Sequence, residues 1–482
     1  MPFRSGVTRA WLPLAMAMAV GLAACTGGEA SPPASGPDAT GDTGTGDGEA
    51  ITLSIAANAV EGGKNAEEAT WITEYVIPTF EQMMADEGHD VTVEFVGRGV
   101  DDEDFKAQLA LDLSTSGGDD VIGIDGIWVG EFADAGYIAP LSEVVGAEVD
   151  DWDGWEQIPD AVQANMAYNG ERFGIPAGTD GRVLYFNKDL FAQAGLPEDW
   201  QPTSWTEILD AARTLKEALP DVVPLQINAG STMGEATTMQ GALPLLVGSG
   251  TRIYDEESGT WPGDTPEVRS GLEFYSAIYG EEALGDPELQ LRQDGRDRSF
   301  QEFAAGGVAI LAEGDYFWRS VVNPDGGIAP MENRDEVVGW AMIPAAEPGA
   351  GINGQDFVSM SGGGGRVLNP NTEHPAEAWA LLTFMNSYEA TLEFVAGQAR
   401  ITQRNDVNQE ILADDPHLSF IAEEVLPVTA YRPGLAVYPQ VSVALQEATD
   451  VIVSGGSVDE AVEAYQSELE SLVGADAVES GG

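Results

Sequence analysis

Hydrophobic and polar positions between residues 51 and 124 follow a pattern that predicts strands and helices in turn. Ile51–Ala57 has the pattern of a strand, and residues 66–85 place Trp, Tyr, Val and Phe side chains on one helix face. Residues 91–96 alternate as a strand does, residues 105–113 have a helical pattern, and residues 120–124 form a buried strand. This alternation predicts an α/β fold with a mostly parallel sheet.

Three later segments have the pattern of amphipathic helices, at residues 205–218, 376–385 and 458–472. Ser204 directly precedes the first of them, and Glu207 lies three residues further on. This combination predicts a capping box, in which the two side chains bind each other's backbone N–H groups.

The N-terminal residues have a different pattern, which is typical of a secretory signal. Arg4 and Arg9 precede an apolar stretch over residues 10–22 that is too short to span a bilayer stably. The stretch runs into Leu-Ala-Ala-Cys, and Cys25 is the only cysteine in the chain. This order resembles a bacterial lipoprotein signal, in which the cysteine is lipidated and the preceding residues 1–24 are removed; an ordinary signal peptide with a chance cysteine is the alternative. Two or more acyl chains would anchor the protein durably to the outer face of the cell membrane.

The composition separates a tether from a folded body. Residues 25–50 contain Cys25 followed by Gly, Ser, Thr, Pro and Asp without a large apolar side chain, which predicts a flexible tether. The remaining chain is long enough for two or more domain-sized units, and its 43% hydrophobic content supports real cores. No stretch after the signal is long and apolar enough for a membrane span.

The charge excludes one class of partner. Twenty-one Lys and Arg stand against 81 Asp and Glu, a formal net charge of −60. Nucleic-acid binding needs basic surface to neutralise phosphates, so we expect no nucleic-acid partner. The same excess disfavours polyanionic ligands, but it does not identify the ligand.

Several sequence blocks occur in an order that is specific to one family. The blocks are Gly174–Pro176, Leu184–Phe191, Ala194–Pro197, Pro202–Leu209, Phe303–Ile310, Glu313–Asp315, Leu368–Pro370, Pro375–Met385 and Arg400–Val407. In this order they resemble the carbohydrate-type extracellular solute-binding proteins of ABC importers, the family that includes maltose-binding protein.

The resemblance implies a two-lobed α/β fold of the Venus flytrap type, in which each lobe has a mostly parallel sheet flanked by helices. Lobe 1 would comprise residues 51–181 and 350–388, and lobe 2 residues 182–349 and 389–482. A sugar or oligosaccharide would bind between the lobes, which would close by hinge motion. The receptor would act as a monomer without a cofactor or metal, and it would pass its ligand to the membrane subunits of an ABC permease.

Candidate ligand-binding residues combine polar groups for sugar hydroxyls with flat rings for sugar faces. Most follow predicted strands, because loops at the carboxyl ends of such strands form ligand sites. The candidates are Asn58, Glu61, Lys64, Asn65, Asp125, Trp128, Asp180, Arg182, Glu235, Thr237, Asp315, Tyr316, Trp318, Gln355, Arg400, Arg432 and Tyr438.

Structural alternatives remain open for some candidates. Residues 58–65 could be a solvated loop, Trp128 could serve core packing, and Asp180 and Arg182 could form a structural ion pair. Residues 362–365, four glycines, lack the Lys-Ser/Thr continuation of a phosphate loop and predict a flexible turn.

The sequence favours a binding protein over an enzyme. Three scattered histidines and the absence of hydrolase and metal motifs give no catalytic constellation. A surface-anchored glycoside hydrolase remains an alternative, because it needs only two suitably spaced carboxylates. A receptor for a non-sugar solute such as a polyol is a second alternative.

Overall fold

The computed structural model describes residues 50–63, 65–280 and 282–481. The predicted signal segment, the predicted lipidation site Cys25, all but the last residue of the tether and the candidate Lys64 therefore lie outside the described residues. Within the described part of the chain, no helix is both long enough and apolar enough to cross a membrane. The same residues contain no group of three or more His, Cys, Asp and Glu side chains placed to hold a metal ion.

The strands are short and spread along the whole described chain. In order they are β1 (Ile51–Ala57), β2 (Val91–Gly97), β3 (Val121–Asp125), β4 (Ala167–Tyr168), β5 (Glu171–Arg172), β6 (Gly174–Pro176), β7 (Arg182–Asn187), β8 (Val223–Gln226), β9 (Trp261–Pro262), β10 (Val308–Gly314), β11 (Val338–Ala341), β12 (Ile343–Pro344), β13 (Phe357–Met360), β14 (Gly364–Leu368), β15 (Thr429–Ala430) and β16 (Val478–Glu479).

Helices connect and cover these strands. They are α1 (Ala66–Trp71), α2 (Ile77–Asp86), α3 (Asp102–Ser114), α4 (Val129–Asp134), α5 (Leu141–Val144), α6 (Asp160–Gln163), α7 (Lys188–Ala194), α8 (Trp205–Ala218), α9 (Glu235–Thr237), α10 (Leu243–Gly248), α11 (Pro266–Tyr279), α12 (Pro287–Gln290), α13 (Gly295–Ala304), α14 (Arg334–Val337), α15 (Pro375–Met385), α16 (Tyr388–Phe394), α17 (Asn405–Ile411), α18 (Pro416–Phe420), α19 (Tyr438–Val453) and α20 (Val458–Val473). Wider π-helical turns occur at Ile72–Val76, Thr238–Ala242, Phe317–Val321 and Ile421–Val425.

The first large sheet has the strand order β2-β1-β3-β14-β6. β1 pairs in parallel with β2 and β3, whereas β14 is antiparallel to both β3 and β6. Four of its five strands therefore run in one direction, which confirms the prediction of a mostly parallel sheet. The reversed strand β14 begins with Gly364 opposite Asp125, the last residue of β3.

The second large sheet repeats this plan with the order β11-β7-β10-β8. β7 is antiparallel to both of its neighbours, and β10 runs parallel to β8. The reversed strand β7 begins with Arg182 opposite Gly314, the last residue of β10. In both sheets, the reversed strand thus starts beside the carboxyl end of its neighbour. The segments that lead into β7 and β14 therefore lie next to the carboxyl ends of β10 and β3.

A third sheet, β12-β13-β15, is joined to the start of β7. The Ser359 hydroxyl of β13 accepts a hydrogen bond from the backbone N–H of Arg182 at 2.9 Å and donates one to its carbonyl oxygen at 3.0 Å. Because Ser359 is fully buried, both bonds are shielded from water. They fix the position at which the chain enters the second large sheet.

The predicted helices are confirmed with small shifts at their ends. The helix predicted over residues 66–85 is a continuous run of α1, the π-helical turn Ile72–Val76 and α2. At α8, the Ser204 hydroxyl accepts from the Glu207 backbone N–H at 3.3 Å, as predicted. The Glu207 carboxylate instead accepts from the backbone N–H of Thr203 at 2.7 Å, one residue before the expected partner, so the capping box is incomplete.

The lobe boundaries stay predictions, but one contact bears on the boundary after residue 388. The Trp71 indole of α1 donates to the carbonyl oxygen of Ala390 at 3.0 Å, and its ring lies 5.0 Å from that of Phe394. Helix α16 therefore packs against the first helix of the predicted lobe 1. This contact favours a boundary beyond residue 394.

Candidate functional site: a cavity between the two large sheets

A cavity of about 410 Å³ lies where the carboxyl ends of both large sheets meet the chain crossings. Its walls come from the loop after β1, the end of β3 and the residues that follow β10. The crossing at residues 177–180 and the glycines at residues 362–365 complete it. We call this space the cleft cavity. Its volume falls within the range of ordinary small-molecule sites.

The loop after β1 is held in place by its own amide side chains. The Asn58 amide donates to the Val100 carbonyl oxygen and to a carboxylate oxygen of Asp102, both at 3.0 Å. Asn65 donates to the carbonyl oxygen of Asn58 at 2.9 Å. Both asparagines line the cleft cavity, as predicted from their place after the strand, whereas the exposed Glu61 does not.

Asp125 and Trp128 enter the cavity from the end of β3. One Asp125 carboxylate oxygen accepts from the backbone N–H of Ile127 at 3.1 Å, which caps the short turn that follows. Burial raises the pKa of Asp125 above its ordinary value, and the nearby Arg432 only partly opposes this. The Trp128 ring is 5% exposed and packs 6.3 Å from the rings of both Phe105 and Phe132, so it lines the cavity while it also serves the core.

Asp180 lies on the first crossing and is bound more firmly. Its Oδ1 accepts from the Gly362 backbone N–H at 2.8 Å and from the Ser361 hydroxyl at 3.2 Å, and it is paired with the Arg182 guanidinium. Burial opposes ionisation, but Arg182 and the Gly362 N–H outweigh it and hold the pKa of Asp180 below its ordinary value. Asp180 lines the cavity whereas Arg182 lies behind it, so the candidate pair is in part the structural ion pair considered above.

Asp315 faces Asp180 from the end of β10. Its carboxylate accepts from the Arg319 Nε at 2.9 Å, and both residues line the cleft cavity. Asp315 is 2% exposed, and burial raises its pKa; the Arg319 guanidinium opposes this effect, and the charge of Asp180 adds to it. The structure thus brings three predicted carboxylates, Asp125, Asp180 and Asp315, to one cavity.

The two aromatic candidates after β10 do not line the cavity. The Tyr316 ring lies 6.0 Å from that of Phe300, and the Arg296 guanidinium lies 5.2 Å from its centre. Trp318 is buried, and its indole N–H donates to Asp415 at 3.0 Å. The wide turn at Phe317–Val321 carries Trp318 into the interior.

A second set of candidates is gathered around Glu235, outside the wall of the cleft cavity. One Glu235 oxygen accepts from Arg432 at 3.2 Å and from the Tyr438 hydroxyl at 3.3 Å, and the other is bound by the Ser442 hydroxyl. Tyr438 is otherwise buried in the core, because it starts α19 beneath the second sheet. These contacts are made within the protein, so the structure does not bring these side chains to the cavity.

The remaining candidates are divided among three places. Thr237 is fully buried and donates to the Gly230 carbonyl oxygen at 2.6 Å, which leaves it no role at a surface. Gln355 and Arg432 line a separate cavity of about 440 Å³. Arg400 lines the cleft cavity as predicted and lies exposed, with its guanidinium 5.5 Å from the centre of the Phe394 ring.

Sequence reasoning missed several residues of the cavity wall. Glu67 and Glu68 lie in the first turn of α1, where acidic residues are common because they complement the helix dipole. Arg319 and Arg366 also line the cavity. The search for polar residues that follow a predicted strand could not indicate either of them. Arg366 was within reach of prediction only through its partner Glu68, which lies 298 residues away in sequence and 2.7 Å away in space.

The four glycines are part of the cavity and not only a flexible turn. Gly364 and Gly365 are the first residues of β14, and a Cβ on Gly364 would lie 2.5 Å from the Ile124 carbonyl oxygen. Gly363 has a φ of 128° and lies against the Gly178 carbonyl oxygen. The prediction of a flexible turn was therefore wrong for this segment, because close contact between backbones fixes its position.

Two sheets that meet at a cavity across chain crossings form the architecture of a two-lobed binding protein. The chain matches the family model described as bacterial extracellular solute-binding protein over residues 63–392, which is more than half of its length. The chain belongs to this family.

Individual relatives are distant. The sn-glycerol-3-phosphate-binding periplasmic protein of Brucella abortus is 32% identical over 81 residues, which are 17% of this chain and 19% of the relative. The mannitol-binding protein of Pseudomonas aeruginosa is 22% identical over 353 residues, 71% of this chain and 74% of the relative. An ABC transporter solute-binding protein from Thermotoga lettingae, solved with alpha-D-tagatose, is 24% identical; the match covers 88% of this chain and 100% of that one with a TM-score of 0.59, and it shows the shared fold.

These comparisons confirm the predicted family and the two-lobed α/β fold. The family consists of binding proteins, which agrees with the prediction that the chain is not an enzyme and removes the glycoside-hydrolase alternative.

Proposed function

We propose that this protein is a lipid-anchored receptor that captures a sugar, oligosaccharide or related polyol in the cleft cavity and delivers it to an ABC permease. The observation that carries the proposal is the arrangement of three carboxylates, Asp125, Asp180 and Asp315, around a cavity that also contains aromatic surface. Carboxylate oxygens accept hydrogen bonds from hydroxyl groups, and rings pack on the apolar faces of sugars.

The position of these groups supports closure of the protein around its ligand. Asp125 ends a strand of the first large sheet and Asp315 directly follows a strand of the second, so one ligand can contact both. A ligand shifts a protein toward a closed state only by the free energy of contacts that this state makes better. Micromolar affinity, about −8 kcal/mol, would be ample for such a receptor.

A polyol is the second candidate ligand. It is favoured by the match over 353 residues to a protein described as mannitol-binding. The relative described as glycerol-3-phosphate-binding matches over 81 residues only, and therefore gives weaker support for an anionic ligand.

Titration of tryptophan fluorescence with mono-, di- and oligosaccharides and polyols tests the proposal, with chromatography to establish that the ligand stays intact. We expect a saturable signal for at least one compound, and at least tenfold weaker binding by the Asp180→Asn variant. That variant keeps the shape of the side chain and removes its charge. Glu143→Gln, an exposed acid on α5, is the matched control and should bind normally. Failure of every sugar and polyol to bind the folded protein would refute the proposal.

The anchor requires its own experiment, because Cys25 lies outside the described residues. We expect the full chain to fractionate with membranes and the Cys25→Ala variant to be released from them. Retention of that variant on membranes would contradict lipid anchoring while leaving ligand capture intact.

A further inference from the structure

Two of the three guanidinium groups that line the cleft cavity are already engaged by carboxylates of the protein. Arg319 pairs with Asp315 at 2.9 Å, and Arg366 pairs with Glu68 at 2.7 Å. Both pairs are at least partly shielded, since Asp315 and Arg366 have side chains that are 3% and 6% exposed. An anionic ligand at either guanidinium would lie beside the carboxylate that already neutralises its charge, so it would gain little net attraction.

Two further guanidinium groups close to the cavity are engaged in the same way. Arg182 is paired with Asp180, and Arg432 is paired with Glu235 at 3.2 Å. These pairs join different parts of the chain and hold the crossing and the segment before α19. A phosphate or carboxylate at either group would therefore again meet a protein carboxylate that already neutralises the positive charge.

Asp125, in contrast to these paired groups, has no ion-pair partner among the described residues. It lines the cavity, and among the described residues no guanidinium or ammonium group lies within 4.0 Å of its carboxylate. The described part of the chain gives it one hydrogen bond, from the Ile127 N–H to Oδ1, which leaves Oδ2 for a ligand. The nearby acid Glu67 is exposed at the same wall, so an approaching anion also meets like charge.

We infer that the cleft cavity selects uncharged polyhydroxyl solutes and their protonated amine derivatives, and rejects phosphorylated or carboxylated ones, with Asp125 as the residue that decides between these charges. The inference rests on the proposed function, because it names the class of ligand within the same cavity.

Arg400 is the wall residue that could favour an anion. Its guanidinium lies over the Phe394 ring, and no carboxylate of the described residues lies within ion-pair distance. It is exposed, so water and salt screen its charge more than that of the buried groups. Its contribution can be measured directly with the Arg400→Gln variant.

The test uses hexoses that differ only in charge. Glucose, glucosamine, glucose 6-phosphate and glucuronate are titrated into the full chain by calorimetry, and the same four forms of galactose and mannose are titrated next. For the hexose that binds, we expect the phosphate and the uronate to bind at least tenfold more weakly than the parent sugar, and the amine to bind at least as tightly.

Asp125→Asn assigns the selection to one residue. We expect it to reduce the ratio of amine to phosphate affinity at least threefold, while Glu143→Gln, which removes the same charge at an exposed position outside the cavity wall, leaves the ratio unchanged. The same titrations at 0.5 M salt separate the direct effect of Asp125 on the ligand from long-range repulsion by the net charge of −60. Salt screens the long-range repulsion more than it screens a direct contact. Equal effects of both variants would overturn the role of Asp125.

The outcomes also separate this inference from the proposed function. A phosphorylated sugar that binds as tightly as its parent, and loses that affinity in Arg400→Gln, would overturn charge selection and leave a sugar receptor. If no sugar or polyol of any charge binds, the proposed function fails and the inference fails with it.

Discussion

The cleft cavity and a neighbouring aromatic cluster differ in whether their buried polar groups have hydrogen-bond or ion-pair partners. The aromatic cluster consists of Tyr185, Trp318, Trp340 and His417. The His417 ring lies 5.2 Å from Tyr185 and 5.0 Å from Trp318 in stacked arrangements, and Trp340 meets it edge-on at 4.9 Å. Neither nitrogen of the His417 ring has a hydrogen-bond partner among the described residues.

In the cavity, by contrast, the carboxylates of Asp180 and Asp315 have partners that stabilise their charge. Asp315 and Trp318 are three residues apart, yet the first serves the cavity and the second the cluster. The aromatic residues after β10 therefore pack into the interior, whereas the carboxylates stay in the cavity wall, where the proposed recognition takes place. Changes in the cluster should therefore alter stability without affinity, and changes in the cavity should alter affinity.

The largest effect is expected from acid on His417. Burial lowers the pKa of His417 from its ordinary value of 6.5 to about 3. The unfolded chain therefore takes up a proton between these values while the folded chain does not, so stability falls as pH drops below about 6.5. The loss from this group is about 2 kcal/mol by pH 5. Urea unfolding at pH 8 and pH 5 should show that His417→Phe removes this part of the loss.

Exposed His89 provides the control for that experiment. His89→Gln should follow the wild-type stability at both pH values, and both variants should bind ligand normally at pH 8. An identical pH response of His417→Phe and the wild type would contradict a neutral, unpartnered imidazole in the cluster.

Arg182→Met comes next and connects the two regions, since it removes the guanidinium behind the cavity. Asp180 would keep only its contacts with Gly362 and Ser361, and because its side chain is 33% exposed we expect the free energy of unfolding to fall by about 1.5 kcal/mol, together with a loss of affinity. Chemical denaturation measures the first effect and calorimetry the second. Arg213→Met, which breaks two exposed ion pairs, should cost less than about 1 kcal/mol. A similar small cost for Arg182→Met would show that the pair at the crossing is not structural.

The smallest effect on stability is expected from Asp125→Asn. Burial raises the pKa of Asp125, so the folded state disfavours its charge, and loss of that charge should change stability at pH 7 by less than about 0.5 kcal/mol. Thermal unfolding beside Glu143→Gln checks this. A loss above about 2 kcal/mol would reveal a structural role for Asp125 and would undermine its use as a probe of ligand charge.

The fold was largely predictable because its elements have strong local patterns. The strand predicted at Ile51–Ala57 is observed with the same ends, and α8 and α20 begin at the residues that the pattern indicated. The reversed directions of β7 and β14 could not be derived from periodicity, because direction depends on where the chain crosses between the sheets.

The cavity was most directly predictable where a polar residue lies at the end of a predicted strand. Asp125 and Asp315 were found in this way, since the end of a strand fixes their position. Trp318 and Tyr438 were wrongly expected at the same surface, because a helical turn of unusual width or a helix start decides which way a side chain faces. The contact between Glu235 and Arg432 spans 197 residues, and no local pattern could indicate it.

The floor of the cleft cavity is formed by peptide groups of the glycine segment, and this limits how the binding site can evolve. A side chain on Gly363 or Gly364 would collide with the backbone of Gly178 or Ile124. Substitution cannot therefore make the cavity shallower at this place without moving a strand. Related receptors that share this glycine segment would adapt to new solutes by exchanging residues of the cavity walls. The depth of the cavity at the glycine segment would remain the same among them.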